Sequence, residues 1–457
     1  MLNIKQQSAA SSSDGDRKSG NVHQEPLIER IKTKQAALGV IGLGYVGLPL
    51  AVEKAKAGFD VTGLDIQQSR VDQVNRGENY IGDVIEDELR QLVTQNKIKA
   101  TTDEEVLDQL DVVAICVPTP LDDYQQPDIS YVRSSTEMIA RHLRPGMLVV
   151  LESTTYPGTT KEIVQPILEA TGLKCGKDFF LSYSPERVDP GNKMYNTKNT
   201  PKVVGGVTPA CTEVSAALYE AVLDGRVHRV SSPEVAEMEK ILENTFRNIN
   251  IGLANEMAIL CHRMGIDVWE VIDAAKTKPY GFMAFYPGPG LGGHCIPIDP
   301  WYLAWKAREY NYHTKLIEAA GEINNSMPEY VVERIADILN DDGKAIRGSS
   351  ILLLGISYKK DIDDFRESPV LDIMAILEKK GAHVTFSDPY IANFTYRGER
   401  FEGTPLTEER LQQADLTVIT TDHTRFNYSM IAENAKVIFD TRNVMRSYPT
   451  AHRMYRL

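Results

Sequence analysis

Gly42-Leu43-Gly44-Tyr45-Val46-Gly47 stands between an apolar stretch, Ala37–Ile41, and a helical pattern over 48–57, and the next apolar stretch, 60–65, closes on Asp65. Glycines at this spacing give a tight strand-to-helix turn and let the backbone come close to a ligand. The amides and dipole of the following helix favour an anion there, as the pyrophosphate of a dinucleotide would be. Asp65 would accept a hydrogen bond from the ribose 2′-hydroxyl and repel a 2′-phosphate, so the expected cofactor is NAD rather than NADP. Gly42, Gly44, Tyr45, Val46, Gly47 and Asp65 are the first candidate site residues. Arg70, just beyond the acid, suits a stack on adenine and equally a solvated helix charge.

Working outward, apolar strands are expected over 111–117 and 147–152, in alternation with helical patterns, and this implies a parallel, doubly wound sheet. A long helical pattern over 233–263, interrupted only by Gly252, precedes a Gly/Pro-rich stretch over 286–300. A second alternation follows, with strands over 350–355, 382–388, 416–421 and 436–440 and a helix over 369–380. The expected fold is α/β, with two doubly wound Rossmann-like domains joined by a central helical domain. The expected divisions are a disordered tail over 1–24, a dinucleotide domain over 25–215, a central helical domain over 216–325 and a C-terminal domain over 326–457. The tail, with Ser11-Ser12-Ser13 and no periodicity, carries no chemistry of its own.

The chain has 457 residues and a formal net charge of −13, which disfavours a non-specific grip on nucleic acid or an anionic membrane. An anionic substrate would need a local cluster of Lys and Arg. No apolar run approaches the length of a membrane span and the start lacks the apolar core of a signal peptide, so a cytoplasmic enzyme is expected. The 5 cysteines are widely spaced without a CxxC pair, and neither a disulfide framework nor a metal site is expected.

Cys295 lies in the irregular stretch over 286–300, where glycines and prolines bring backbone close to something and Asp299 follows. A thiol there is a candidate nucleophile, although an unperturbed thiol is only a few per cent thiolate at neutral pH and needs a cation or donor beside it. Lys240 and Asn244 share a helix face, with Asn248 extending it, and offer those donors. The same spacing suits a solvated helix surface. His294 is adjacent to Cys295 in an extended segment and so points the other way.

Together these residues resemble the UDP-glucose/GDP-mannose dehydrogenase family, with a likeness running from about Pro26 to the C-terminus. The matching runs are 42–49, Val117-Pro118-Thr119-Pro120, Glu152-Ser153-Thr154, Ser184-Pro185-Glu186-Arg187, Lys240 with Asn244, Gly292-Gly293-His294-Cys295, and 359–368. The resemblance implies that Cys295 is the nucleophile, that Asp299 positions or activates water, and that Lys240 and Asn244 oppose a developing oxyanion. It makes Glu186 the base for thioester hydrolysis and Thr119 the residue that orients water. Thr119, Glu152, Thr154 and Arg366 then look like NAD contacts. Glu186, Arg187, Lys240, Asn244, Tyr286, Gly288, Gly290, Tyr358, Lys359 and Arg442 look like contacts to a UDP-sugar. The implied reaction oxidises a C6 alcohol twice to the acid, through a thiohemiacetal and a thioester.

The likeness is greatest to bacterial UDP-N-acetylglucosamine 6-dehydrogenases of O-antigen and capsule pathways. His294, Ile298 and 187–190 depart from the UDP-glucose branch. The Arg which that branch takes from a neighbouring subunit has no match in Lys276-Thr277-Lys278-Pro279. UDP-N-acetylglucosamine is therefore the expected substrate. Alternatives are UDP-glucose, UDP-N-acetylgalactosamine or UDP-N-acetylmannosamine, or a two-electron hydroxy-acid dehydrogenase, which needs no cysteine. The long central helix suits the interface of a homodimer or higher homo-oligomer.

Overall fold

The computed structural model describes residues 21–457 apart from 83, 123, 190, 191, 193 and 294. The expected tail thus lies outside the described residues up to 20, and a helix, Gln24–Lys32, begins within its last positions.

Strands β1 (Ala37–Ile41), β2 (Asp60–Leu64), β3 (Ile98–Thr101), β4 (Val112–Ile115), β5 (Leu148–Leu151), β6 (Phe180–Tyr183), β7 (Lys202–Gly206) and β8 (Val227–Val230) form one 8-stranded sheet. Their order is 3-2-1-4-5-6-7-8, and every pairing is parallel except β6 with β7. Short all-apolar runs such as Val112–Ile115 and Leu148–Leu151 are buried throughout, as strands covered on both faces must be. Leu38, Val40, Val112 and Val150 pack under the helices Gly47–Lys56 and Pro209–Val222. Val113, Ile115, Val149 and Leu151 pack on the other face against the helix Ser130–Arg141. The strand order reverses between β1 and β4, which opens a crevice at their C-terminal ends.

The helix Pro233–Met264 runs for 32 residues, from a proline in its first turn to Gly265 in the left-handed region. A second long helix, Lys315–Asn340, packs along it. The chain then forms β9 (Ser350–Leu354), β10 (His383–Ser387), a separate hairpin of β11 (Asn393–Tyr396) and β12 (Glu399–Glu402), and β13 (Leu416–Ile419), β14 (Val437–Asp440) and β15 (Arg453–Arg456). The second sheet has the all-parallel order 10-9-13-14-15, with its own reversal between β9 and β13.

Two expected boundaries fall inside helices. Position 215 lies within Pro209–Val222, and the first sheet continues to β8, because that helix and strand cover the sheet edge that would otherwise stand open. Position 325 lies within Lys315–Asn340, whose two ends serve different layers. The irregular stretch over 286–300 is also shorter than expected. A helix, Asp299–Ala307, starts at its last acid, with Pro300 in the first turn where a missing amide costs nothing.

Candidate active site

At the end of β1 the glycine loop is as tight as its sequence implies. A Cβ on Gly47 would lie 1.8 Å from the Gly42 carbonyl oxygen, so only glycine lets the helix begin there. No side chain caps that helix and its first turn holds no acid, which leaves its amides to an anion. Asp65 accepts from the amides of Leu43 and Gln67, both at 2.9 Å, and its carboxylate reaches Arg70 at 3.5 Å. These residues fit the pyrophosphate and adenosine ribose of NAD. Arg366 crosses from the C-terminal half to lie 4.2 Å from the centre of the Tyr45 ring, and Asp364 holds its guanidinium.

The helix Pro233–Met264 supplies the second wall. Lys240 and Asn244 are only 7% and 6% exposed, which excludes the solvated-surface reading of their spacing. Burial obliges each polar group to find a partner. Lys240 Nζ donates to the Glu186 carbonyl at 2.7 Å, Asn244 donates to the Asp299 carboxylate, and Asn248 donates to the Ile296 carbonyl at 3.1 Å. Further along, the Asn255 side chain accepts from the Gly288 amide at 3.0 Å and donates to Asn324. Asn324 in turn donates to the Asn248 carbonyl at 3.0 Å. Asn255 and Asn324 were not foreseen from sequence, although Asn255 continues the 240, 244, 248 stripe by two more turns.

This ladder presents Cys295, the one cysteine exposed to solvent; Cys116, Cys211 and Cys261 are buried and Cys175 is half-buried. Cys295 opens onto the cleft but sits deep in its wall. The surrounding protein, then Asp299, push its thiol up to about 11, against the pull of Lys240 and Arg247. Burial pushes Asp299 up to about 7, opposed by Lys240 and the Asn244 hydrogen bond. The resting site therefore holds a thiol beside a carboxylate that titrates near neutrality. His294 lies outside the described residues.

Opposite, the Glu186 carboxylate accepts from the amides of Arg187 at 2.7 Å and Val188 at 2.9 Å. Burial opposes its charge, but Lys202, those amides and Lys240 outweigh burial and hold its pKa below the ordinary value. Arg187 turns its guanidinium to Glu239, Glu243 and the Pro201 carbonyl, so here it ties the Glu186 loop to the long helix. Thr119 donates to the Thr154 carbonyl at 2.7 Å. Glu152 is 1% exposed and bound by Tyr219 and Lys202.

The second sheet closes the cleft. Added Cβ atoms on Gly292 and Gly293 would lie 2.4 and 2.8 Å from the Tyr358 side chain, so the cysteine loop and the loop after β9 pack backbone to ring. Arg442 lies against Gly288 in the same way and donates to the Thr420 carbonyl at 2.8 Å. Lys359 pairs with Asp189 at 2.8 Å, and Tyr286 stacks on Trp269 with ring centres 5.9 Å apart. Gly290 touches Pro369. The resulting cleft measures about 2200 Å³, and its wall includes each site residue proposed from sequence except Gly47. A drug-sized ligand fills roughly 300–1,000 Å³, so there is room for a dinucleotide and a nucleotide sugar together. The group Glu105, Asp108 and His142 has the donors for a cation, but it is no part of that wall.

Residues 36–223 match the NAD binding domain of the UDP-glucose/GDP-mannose dehydrogenase family, 234–326 its central domain and 352–447 its UDP binding domain. The chain is 37% identical over 413 residues to the UDP-N-acetyl-D-glucosamine 6-dehydrogenase of Pseudomonas aeruginosa, covering 90% of this chain and 96% of that one. It is 35% identical over 429 residues to protein CapL of Staphylococcus aureus, covering 92% and 99%. The solved UDP-D-ManNAc dehydrogenase of Pyrococcus horikoshii superposes with a TM-score of 0.84 at 34% identity, covering 92% of this chain and 98% of that one.

The electrostatics around the thiol give a signed expectation. Asp299→Asn removes the charge that repels the thiolate, so the thiol pKa falls and alkylation of Cys295 by iodoacetamide at pH 8 becomes faster than in the wild type. Lys240→Ala has the opposite sign and slows it. Peptide mass spectrometry after timed alkylation reads both, and equal rates in all three proteins would contradict this account.

Proposed function

This chain belongs to the UDP-glucose/GDP-mannose dehydrogenase family as an NAD-dependent UDP-sugar dehydrogenase, and from that premise we propose that it oxidises the C6 alcohol of UDP-N-acetylglucosamine to the carboxylate. The carrying observation is Cys295, open to the cleft beside a buried cluster of Lys240, Asn244 and Asp299. The glycine loop and Asp65 would hold NAD, which would supply the hydride acceptor for both oxidations.

The hydroxyl proton of the first oxidation leaves to solvent water, and the chain's own residues carry the remaining steps. Cys295 Sγ adds to the C6 aldehyde while Asp299 takes the thiol proton, and Lys240 and Asn244 oppose the charge that grows on oxygen. A donor of this kind contributes roughly 3–4 kcal/mol in comparable oxyanion holes. After the second oxidation the sugar is a thioester on Cys295. Glu186 removes a proton from water as its oxygen adds to the thioester carbon, the C–S bond breaks, and the departing thiolate takes the proton. Covalent capture keeps the aldehyde in the site between the two oxidations. Tyr358, Lys359 and Arg442 hold the UDP, and Arg366 reaches to NAD.

Several relatives support a 2-acetamido sugar. The Pseudomonas aeruginosa enzyme and the Pyrococcus horikoshii structure are both named for such substrates, and the run over 286–301 resembles the N-acetylhexosamine branch. A site that pairs an amide N–H rejects analogues lacking it by large factors. The product, a uronic acid, would serve surface polysaccharide synthesis.

For the assembly we infer a role for one face of the long helix. Val235, Met238, Leu242, Phe246, Leu253, Leu260 and Met264 are exposed at helical spacing and so lie along one side of the helix. We take this stripe as the interface of a homodimer. Leu242 and Phe246 also edge the cleft, so the partner would stand near the sugar.

Steady-state assays with a panel of UDP-sugars should give two NADH per turnover. kcat/KM should be highest for UDP-N-acetylglucosamine, lower for UDP-N-acetylgalactosamine and UDP-N-acetylmannosamine, and poor for UDP-glucose. A clear preference for UDP-glucose would reject the sugar assignment. Cys295→Ser should lower turnover by orders of magnitude with NAD affinity nearly intact, and near-normal turnover would remove Cys295 from the mechanism. Light scattering should find two chains per particle, and Leu253→Arg should reduce that to one; a monomeric wild type at micromolar concentration would refute the dimer.

A further inference from the structure

Beside Glu186 a buried row of charged groups runs inward from the wall of the cleft, and the steps above leave its other members unused. Lys202 Nζ is 2.9 Å from Glu152 Oε2 and 3.5 Å from Glu186 Oε2. The side chains of Lys202 and Glu152 are 5% and 0% exposed. Tyr219 donates to the other Glu152 oxygen at 2.6 Å, and Lys54, wholly buried, stands 3.8 Å from that same oxygen. Among the described residues the Lys54 ammonium has no hydrogen-bond partner. Taking such groups out of water is costly, and apolar residues of similar volume commonly serve stability as well. The row therefore calls for a task, and it meets the cleft at Glu152 and at Glu186, of which Glu186 is the one assigned a chemical step.

Lys202 forms the only ion pair of the Glu186 side chain among the described residues. It reaches Glu186 from β7, the strand that runs antiparallel to β6 and so brings its first residue beside the loop after β6. Glu152, at the end of β5, fixes the ammonium from the far side. The other charged or titratable groups around Glu186 are Arg187 on its own loop, Lys240 on the long helix, Cys116 after β4, and Glu239 and Glu243, which are engaged by Arg187. Lys240 addresses the Glu186 carbonyl rather than its carboxylate, and the Arg187 guanidinium faces away toward those two acids.

We propose that Lys202, anchored on Glu152, is the positioning residue of the hydrolysis step, and that its ammonium keeps the Glu186 carboxylate ionised and fixed at the cleft until the thioester forms. The inference rests on the reading of Glu186 as the base. Proton transfer from water then neutralises Glu186 only until the C–S bond breaks and the Cys295 thiolate takes that proton, which restores the pair with Lys202.

The experiment follows the decay of the Cys295 thioester against pH, by acid quench and intact-protein mass spectrometry in single turnover. In Lys202→Met the carboxylate loses its cation, its pKa rises, and the acid limb of the decay should move up by about one pH unit or more, with the alkaline plateau retained. Lys202→Arg should return the limb toward the wild-type position. Should the single variant fail to fold, Lys202→Met with Glu152→Gln removes both buried charges together and should still show the raised limb. An unshifted limb in a folded variant lacking Lys202, with Glu186→Gln arrested at the thioester, overturns the role of Lys202 alone. Thioester hydrolysis at the wild-type rate in Glu186→Gln overturns the reading of Glu186 and this inference with it.

Discussion

The site depends on a constraint of burial: one face of the helix Pro233–Met264 places an ammonium and three amides almost out of reach of water. Each must bond to something, and the nearest available groups belong to other segments. Lys240 therefore takes the loop after β6, Asn244 and Asn248 take the segment from Ile296 to Asp299, and Asn255 takes Gly288. A buried donor left unmet costs about 1–3 kcal/mol, so a displaced loop would be penalised at several points at once. An irregular stretch rich in glycine is thus held in one conformation without regular structure of its own. The reactive thiol inherits its position from amides up to two turns of helix away.

Charge is arranged with the same economy. The chain carries a net −13, yet Arg70, Lys240, Arg247, Lys359, Arg366 and Arg442 all meet at the cleft. Several are already matched by carboxylates: Lys359 by Asp189, Arg366 by Asp364, Arg70 by Asp65. These pairs are partly exposed, where an ion pair contributes only about 0–1 kcal/mol, so a polyanionic ligand can exchange for such an acid at small cost. The buried pair of Lys202 and Glu152 is of the other kind, since removing one partner there strands a charge.

What could be read in the sequence follows from which signals are local. Strands covered on both faces, such as Leu148–Leu151, announce themselves by unbroken apolar runs, and the glycine loop by its spacing between strand and helix. Val227–Val230 was not legible, because its exposed His228 and Arg229 break the apolar run. Two of the expected divisions fall inside the helices Pro209–Val222 and Lys315–Asn340, since each carries a continuous pattern across the junction. The candidates that gather at the cleft were legible as residue types in their motifs, and the directions of their side chains were not. Nothing in the sequence says that the Arg187 guanidinium turns to Glu239 and Glu243, or that Glu152 is held from below by a lysine some fifty positions on.

The two sheets also show why the nucleotides need different handles. In the first, the Leu43 amide bonds Asp65 Oδ2 at 2.9 Å and the acid stays at the cleft wall. In the second, the Ile356 amide bonds Asp388 Oδ2 at 2.7 Å in the same loop position after β9, and the Tyr390 amide bonds the other oxygen as Gln67 does for Asp65. Yet the Asp388 side chain is wholly buried beneath His423, whose Nδ1 accepts from the Asp361 amide at 2.9 Å and whose Nε2 faces Asp388 at 3.1 Å. Because a backbone amide can only donate, Nδ1 accepts, and the ring proton assigned to Nε2 lies between Asp388 and the Ser357 hydroxyl oxygen, each 3.1 Å away. The acid that is free to meet a ribose in the first sheet is consumed in the second, where with His423 it braces the loop from Ser357 to Asp361. What the braced loop and its neighbours present to the cleft includes Tyr358, Lys359 and Arg442.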